Sequence, residues 1–61
     1  MNIETALNNG SKILNKFNIK SSSLDSELLL AKTINKDRKY IILNSKDDLN
    51  KKNLNIFYDF I

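Results

Sequence analysis

The fold of this chain is decided by residues 24–31, which read Leu24-Asp25-Ser26-Glu27-Leu28-Leu29-Leu30-Ala31. Four of these residues are leucine and one is alanine, both strong helix formers, so the stretch predicts a helix that is buried on more than one side. Asp25 and Glu27 lie in its first turns, where the helix dipole favours negative charge. We therefore expect this helix to be the central one of a small bundle.

The short length and the composition exclude several kinds of chemistry. The 61 residues make one domain at most, 41% of them are hydrophobic, and none is cysteine or histidine. Disulfides, thiolate metal ligands and an imidazole base are therefore absent. Apolar burial and helix capping must supply the stability, which we expect to be about 3–5 kcal/mol.

No feature of the sequence predicts a membrane span or an export signal. No apolar run approaches the roughly 20 residues that a transmembrane helix needs. The first four residues have neither the basic start nor the apolar core of a secretory signal. We expect a cytoplasmic protein.

The net charge of +3 suggests two interpretations. A basic balance is typical of proteins that bind nucleic acid. However, Lys, Asn and Ile make up 27 of the 61 residues, and all three have A/T-rich codons, so a low-GC genome accounts for the lysines. We favour solvated surface lysines over a phosphate-binding patch.

Apolar periodicity and capping residues predict four helices. The candidate N-caps are Asn2, then Ser21 or Ser22, then Asp37 and Asn50. The predicted helices span residues 3–17, 22–34, 38–43 and 51–61.

The single glycine, Gly10, lies on the apolar stripe of the first predicted helix. The stripe consists of Ile3, Ala6, Leu7, Gly10, Ile13, Leu14 and Phe17. A glycine inside a helix costs roughly 0.5–1 kcal/mol relative to alanine, so we infer that Gly10 permits close approach of a neighbouring helix. A break at residues 9–10 is the alternative, but the stripe resumes in phase after it.

The last third of the chain contains one segment that suits either a strand or a helix, followed by the fourth predicted helix. Residues 40–43 are β-formers and suit a strand, but no second strand exists to pair with them, so we predict a helix. In the fourth helix, Leu49 and Leu54 have the spacing of a hydrophobic staple. We expect the stripes of the first, second and fourth helices to form the core.

The only candidate functional residues are basic. Lys12, Lys16 and Lys20 continue a four-residue ladder along the first helix. Arg38, the sole arginine, has a planar fork that suits a carboxylate, and we expect it to pair with Asp25 or Glu27. The predicted partner contacts are Lys12, Lys16, Arg38 and Lys39. We assign no catalytic, cofactor-binding or metal-ligating residue, and we interpret Tyr40 and Tyr58 as partly buried core residues.

The sequence resembles the N-terminal helical domain of the HemK/PrmC family, the release-factor glutamine methyltransferases. The characteristic sequence of the family is similar to S-P-x-L-D-A-E-L-L-L-A, followed by a short linker and Arg. In this chain Ser26 replaces the small Ala, and Ser22 stands where the family often has Pro. Because Pro favours the first turn of a helix, this correspondence favours Ser21 as the N-cap. The resemblance covers essentially the whole chain. It rests on Ile3, Ala6, Leu7, Leu14, Ile19, Ser21, residues 24–31, Lys36-Asp37-Arg38 and Leu49.

The resemblance implies an activity whose chemistry belongs to another domain. Family members use S-adenosylmethionine to methylate the glutamine of the Gly-Gly-Gln motif in peptide-chain release factors. A following Rossmann-like domain carries the Gly-rich cofactor loop and the Asn-Pro-Pro-Tyr motif, and residues 1–61 contain neither. The expected partners are therefore a release factor and the chain's own catalytic domain, and no cofactor is expected on this piece.

The expected fold is an all-α, small four-helix orthogonal bundle, truncated from the five helices that the resemblance implies. The apolar end at residues 57–61 suggests that the piece comes from a longer protein or that another element packs there. Two alternative functions are a small nucleic-acid-binding helical domain and a free-standing helical adaptor that associates through its apolar C-terminus.

Overall fold

The computed structural model describes all 61 residues and contains four helices and no strand. Every helix bound lies within one residue of its predicted position, and the all-α prediction is confirmed. The only β-type pairing is an isolated antiparallel bridge between Asn2 and Asp48. The helices are α1 (Ile3–Lys16), α2 (Ser22–Ile34), α3 (Arg38–Leu43) and α4 (Lys51–Phe60).

Three of the helices begin at the predicted capping residues. The side-chain oxygens of Asn2, Asp37 and Asn50 each accept a hydrogen bond from the backbone N–H three residues later, at 2.8, 2.9 and 2.8 Å. Each bond satisfies one of the amide groups that a helix leaves unpaired at its start. Local sequence alone therefore accounts for where α1, α3 and α4 begin.

The start of α2 is capped differently from the starts of the other three helices. Ser21 occupies the N-cap position, as the resemblance favoured over Ser22, but its side chain accepts no backbone hydrogen bond. The Ser21 hydroxyl instead donates to Asp25 Oδ2 at 2.9 Å. Asp25 therefore holds the first turn through a side-chain contact.

Two asparagines end helices in the conformation that usually requires glycine. Asn18 and Asn35 have φ angles of 63° and 58°, in the left-handed region that asparagine tolerates better than most residues. At the end of α2, the Lys36 N–H donates to the Ala31 carbonyl at 2.9 Å, which is the long-range bond of a Schellman motif. Asparagine thus replaces glycine at the helix ends of this glycine-poor chain.

The loop at residues 44–50 covers the N-terminus of α1. The Ile3 N–H donates to the Asp47 carbonyl and the Glu4 N–H to the Ser45 carbonyl, both at 2.9 Å. These amides have no partner within their own helix. The loop between α3 and α4 therefore satisfies the first turn of α1 from outside the helix.

The core draws on more elements than predicted. We expected α1, α2 and α4 to form it, but Ile41 of α3 is fully buried and Leu49 of the loop is also part of it. A six-residue helix is too short to show which of its apolar residues faces inward, so only the packing identifies Ile41. The core cluster is Ile3, Ala6, Leu30, Ala31, Ile41, Leu49 and Phe57.

The prediction that α2 is the central helix is confirmed, because α2 packs against α1, α3 and α4, but one of its faces is open to solvent. Leu30 is fully buried, but Leu24 and Leu28, which lie one turn apart on another face, are 41% and 48% exposed. The prediction that Phe17 belongs to the buried stripe of α1 is wrong, because 70% of its surface is exposed. Phe17 is the C-cap residue of α1, and it lies beyond the reach of the packed helices.

Gly10 allows α1, α2 and α4 to meet at one point, as its position on the stripe predicted. A Cβ atom on Gly10 would lie 2.7 Å from Phe57 Cζ, 2.7 Å from Ser26 Oγ and 2.8 Å from Ile61 Cδ1. All three distances are shorter than van der Waals contact. The absence of a side chain is therefore a condition of this packing.

Ser26 completes the contact between α1 and α2. It is fully buried, and its hydroxyl donates to the Leu7 carbonyl at 2.9 Å. One turn earlier, the Ser22 and Ser11 hydroxyls lie 3.2 Å apart. Small hydroxyl residues thus line this interface without leaving a buried polar atom unpaired.

The first prediction concerns Gly10→Ala. An alanine inside a helix normally stabilises by about 0.5–1 kcal/mol, but overpacking costs about 1–3 kcal/mol, so we expect a net loss of about 1–2 kcal/mol in the free energy of unfolding. Urea denaturation followed by circular dichroism measures it. Asn8→Ala, on the exposed side of α1, is the control and should be neutral or slightly stabilising. A Gly10→Ala chain as stable as the parent would contradict the close contact.

The second prediction concerns the left-handed residue Asn35. Asn35→Ala should lower the free energy of unfolding by about 1 kcal/mol, because a Cβ with no compensating polar group is strained there, whereas Asn35→Gly should be neutral or stabilising. Thermal denaturation compares the two. Asn55→Ala, at an exposed position inside α4, should instead stabilise by about 0.5 kcal/mol through helix propensity. Equal effects at Asn35 and Asn55 would argue against the backbone explanation.

Candidate partner-contact surface

Lys12 and Lys16 both lie on the exposed side of α1. The chain contains two ion pairs, Arg38–Glu27 and Lys46–Glu4, and neither involves these two lysines. Because the two residues are four apart on one helix, they occupy neighbouring positions on the same face. This face therefore carries two positive charges with no internal partner.

Lys12 borders a shallow groove between α1 and α4, which we call the α1–α4 groove. It is lined by Asn9, Lys12, Ile13 and Tyr58 and has a volume of about 380 Å³. The Asn9 amide donates to the Tyr58 hydroxyl at 3.3 Å and so joins the two helices at one wall. Tyr58 is half-buried and packs against the core, as predicted.

Arg38 forms the predicted ion pair, and the structure identifies its partner. Arg38 Nη2 lies 3.1 Å from Glu27 Oε2. Of the two candidate carboxylates, Asp25 instead accepts the Ser21 hydroxyl. The pair connects the start of α3 to the middle of α2, and the Arg38 side chain remains 46% exposed. Lys39 is exposed beside it and makes no ion pair.

The predicted contact residues form two groups. Lys12 and Lys16 belong to α1, whereas Arg38 and Lys39 begin α3, which packs on α2. No hydrogen bond or ion pair links the two groups. Any partner that uses all four residues must span more than one helix of the bundle.

Sequence reasoning missed the exposed apolar residues on α2 and α3. Ile42 and Leu43 are 59% and 71% exposed, and Leu24 and Leu28 are the half-exposed leucines of α2 described above. The sequence of α3 did contain a signal that some of its apolar residues would be exposed. Four consecutive apolar residues in a six-residue helix cannot all face one neighbour, because they point around its whole circumference.

A second cavity lies beside the loop that covers α1. It has a volume of about 240 Å³, and its wall includes Lys36, Tyr40, Asp47 and Asp48. Lys36 Nζ lies 5.2 Å from the centre of the Tyr40 ring, within the range of a cation–π contact. No group of three or more His, Cys, Asp or Glu residues is placed to hold a metal ion. None of the four helices has the length and apolarity to cross a bilayer.

The third prediction concerns the Arg38–Glu27 pair. A double-mutant cycle with Glu27→Gln and Arg38→Gln should give a coupling energy of about 0.5 kcal/mol, the usual size for a partly exposed pair. Urea denaturation of the four chains measures it, and the coupling should shrink in high salt. The same cycle on the more exposed pair Lys46–Glu4 should give a smaller value. Strictly additive single effects at Glu27 and Arg38 would show that the contact contributes nothing.

Comparison with known proteins places the chain in a family. The family model described as the PrmC N-terminal domain matches residues 5–61. No curated protein and no solved structure matches the chain. The match covers all four helices except the first two residues of α1, and it agrees with the resemblance carried by residues 24–31. The chain therefore belongs to the PrmC N-terminal domain family.

Proposed function

We propose that residues 1–61 are the substrate-docking N-terminal domain of a release-factor glutamine methyltransferase. In this proposal the domain binds or orients a peptide-chain release factor. A separate catalytic domain holds S-adenosylmethionine and transfers the methyl group to the glutamine of the Gly-Gly-Gln motif. The family match over residues 5–61 is the observation that carries the proposal.

The residues of the bundle favour docking over catalysis. Gly10, the one glycine, is buried where three helices meet, so it is not part of a loop that cradles a cofactor. The two carboxylates of α2 are engaged, Asp25 with Ser21 and Glu27 with Arg38. The one buried polar side chain, Ser26, donates to the Leu7 carbonyl, so these groups have structural roles and the proposal assigns the function to the surface.

The surface offers both charge and apolar area to a protein partner. Lys12, Lys16 and Lys39 are exposed and outside both ion pairs. The exposed apolar residues on α2 and α3 add area of the kind that protein interfaces bury. We keep Lys12, Lys16, Arg38 and Lys39 as the proposed contacts, with the difference that Arg38 must share its guanidinium with Glu27.

The fourth prediction is that this chain alone binds a release factor. With fluorescently labelled chain and purified release factor, anisotropy should give a Kd on the order of 1–100 µM, as is usual for small transient interfaces. Replacing the Gly-Gly-Gln glutamine by alanine in the release factor should leave this affinity unchanged, because the proposal assigns the glutamine to the catalytic domain.

The controls separate docking from general charge effects. Lys12→Glu with Lys16→Glu should weaken binding severalfold, whereas Lys51→Glu with Lys52→Glu, which changes the charge equally at the start of α4, should not. Calorimetric titration of the chain with S-adenosylmethionine should give no binding heat. Failure to bind any release factor, or tight binding of S-adenosylmethionine by these 61 residues, would contradict the proposal.

A further inference from the structure

We infer that the α1–α4 groove is a docking site for an amphipathic helix whose apolar stripe is flanked by acidic side chains. The inference goes beyond the proposed function, because it specifies the surface and the chemistry of the occupant. It holds whether or not that occupant belongs to a release factor.

The groove is held open by contacts that the core dictates. Ile61 approaches Gly10 so closely that a Cβ there would lie 2.8 Å from Ile61 Cδ1, which brings the end of α4 against the middle of α1. The Asn9–Tyr58 hydrogen bond at 3.3 Å joins the helices at the groove wall. Both contacts hold α4 beside α1, so the groove is present in the free chain.

The groove continues into an exposed apolar surface. Ile13 lines it and is half-buried. Phe17 follows one helical turn later on the same side of α1 and is 70% exposed. An apolar wall followed by an uncovered phenyl ring suits side chains spaced one turn apart on a partner helix, which is how helices bind in grooves.

The positive charge at the groove edge favours a partner helix with acidic residues beside its apolar stripe. Lys12 lines the groove and Lys16 lies one turn further, beside Phe17, and neither has an acidic partner in the chain. A partner with Glu or Asp beside its apolar stripe would pair with them. A second copy of this chain, paired through the same groove, would bring the lysines of both copies together, which like-charge repulsion disfavours.

The exposed leucines of α2 do not offer the same selectivity. Leu24 and Leu28 flank Glu27, whose charge is neutralised by Arg38 at 3.1 Å. The polar neighbours of this surface are therefore already paired.

The test uses designed peptides as probes of the ¹⁵N-labelled 61-residue chain. One peptide of about 18 residues, five helical turns, carries a leucine stripe flanked by Glu, and a second carries the same stripe flanked by Lys. We expect amide shift changes at Asn9, Lys12, Ile13 and Tyr58, and about tenfold tighter binding of the Glu peptide in low salt.

Variants of the chain identify the cause of binding. Lys12→Glu with Lys16→Glu should abolish or reverse the preference for the Glu peptide, and Phe17→Ser should weaken binding about fivefold. Phe60→Ser, at an exposed aromatic position of α4 that does not line the groove, should leave binding unchanged. Because at least half of each side chain is exposed, neither change should unfold the chain.

Three results would overturn the inference. They are equal affinity for the two peptides, shift changes confined to α2 and α3, and self-association of the chain that perturbs Ile13 and Phe17 without peptide. Release-factor binding that survives Lys12→Glu, Lys16→Glu and Phe17→Ser, together with the expected peptide preference, would support the groove inference and show that the release factor binds elsewhere on the bundle. Peptide binding in the groove without release-factor binding would support the groove inference and contradict the proposed function.

Discussion

The whole bundle depends on one close approach, at Gly10, where α1, α2 and α4 meet. A side chain there would lie within 2.8 Å of Ser26, Phe57 and Ile61, so the three helices can reach their packed positions only because residue 10 has none. Phe57 and Ser26 are both fully buried, and the Ser26 hydroxyl donates a hydrogen bond to the Leu7 carbonyl. In a chain this small, where few residues are fully buried, the packing around one point determines how the remaining elements are arranged.

The second constraint is the need to satisfy backbone amides at the start of α1. The loop at residues 44–50 provides the Asp47 and Ser45 carbonyls for two of them, and Asn2 caps a third. Because this loop also contributes Leu49 to the core, the same segment supplies polar and apolar contacts. It thereby holds α3 and α4, which it connects, in a defined relation to α1. The short helix α3 is stabilised by this loop, by buried Ile41 and by the Arg38–Glu27 pair, and its own length would not suffice.

The proposed docking role rests on what this packing leaves outside. A core centred on Gly10 cannot cover every apolar residue, so Phe17 and Leu43 remain largely exposed and Leu28 remains half-exposed. The lysines of α1 lie near one of these exposed regions and have no acid to pair with. Exposed apolar area bordered by unpaired charge is typical of a surface that binds another protein, which agrees with a docking role for a member of the PrmC N-terminal domain family.

The sequence by itself determined the features that depend on a few neighbouring residues. The caps Asn2, Asp37 and Asn50 and the apolar spacing gave the helix bounds to within one residue, because capping and dipole effects act within one turn. Tertiary structure alone decided the rest. It selected Glu27 over Asp25 as the partner of Arg38, and it decided which apolar residues of α2 and α3 are covered. The burial of a side chain depends on where the neighbouring helices lie. The leucines of residues 24–31 are compatible with several arrangements of those helices, and the contacts at Gly10 and the loop that covers α1 allow only one of them.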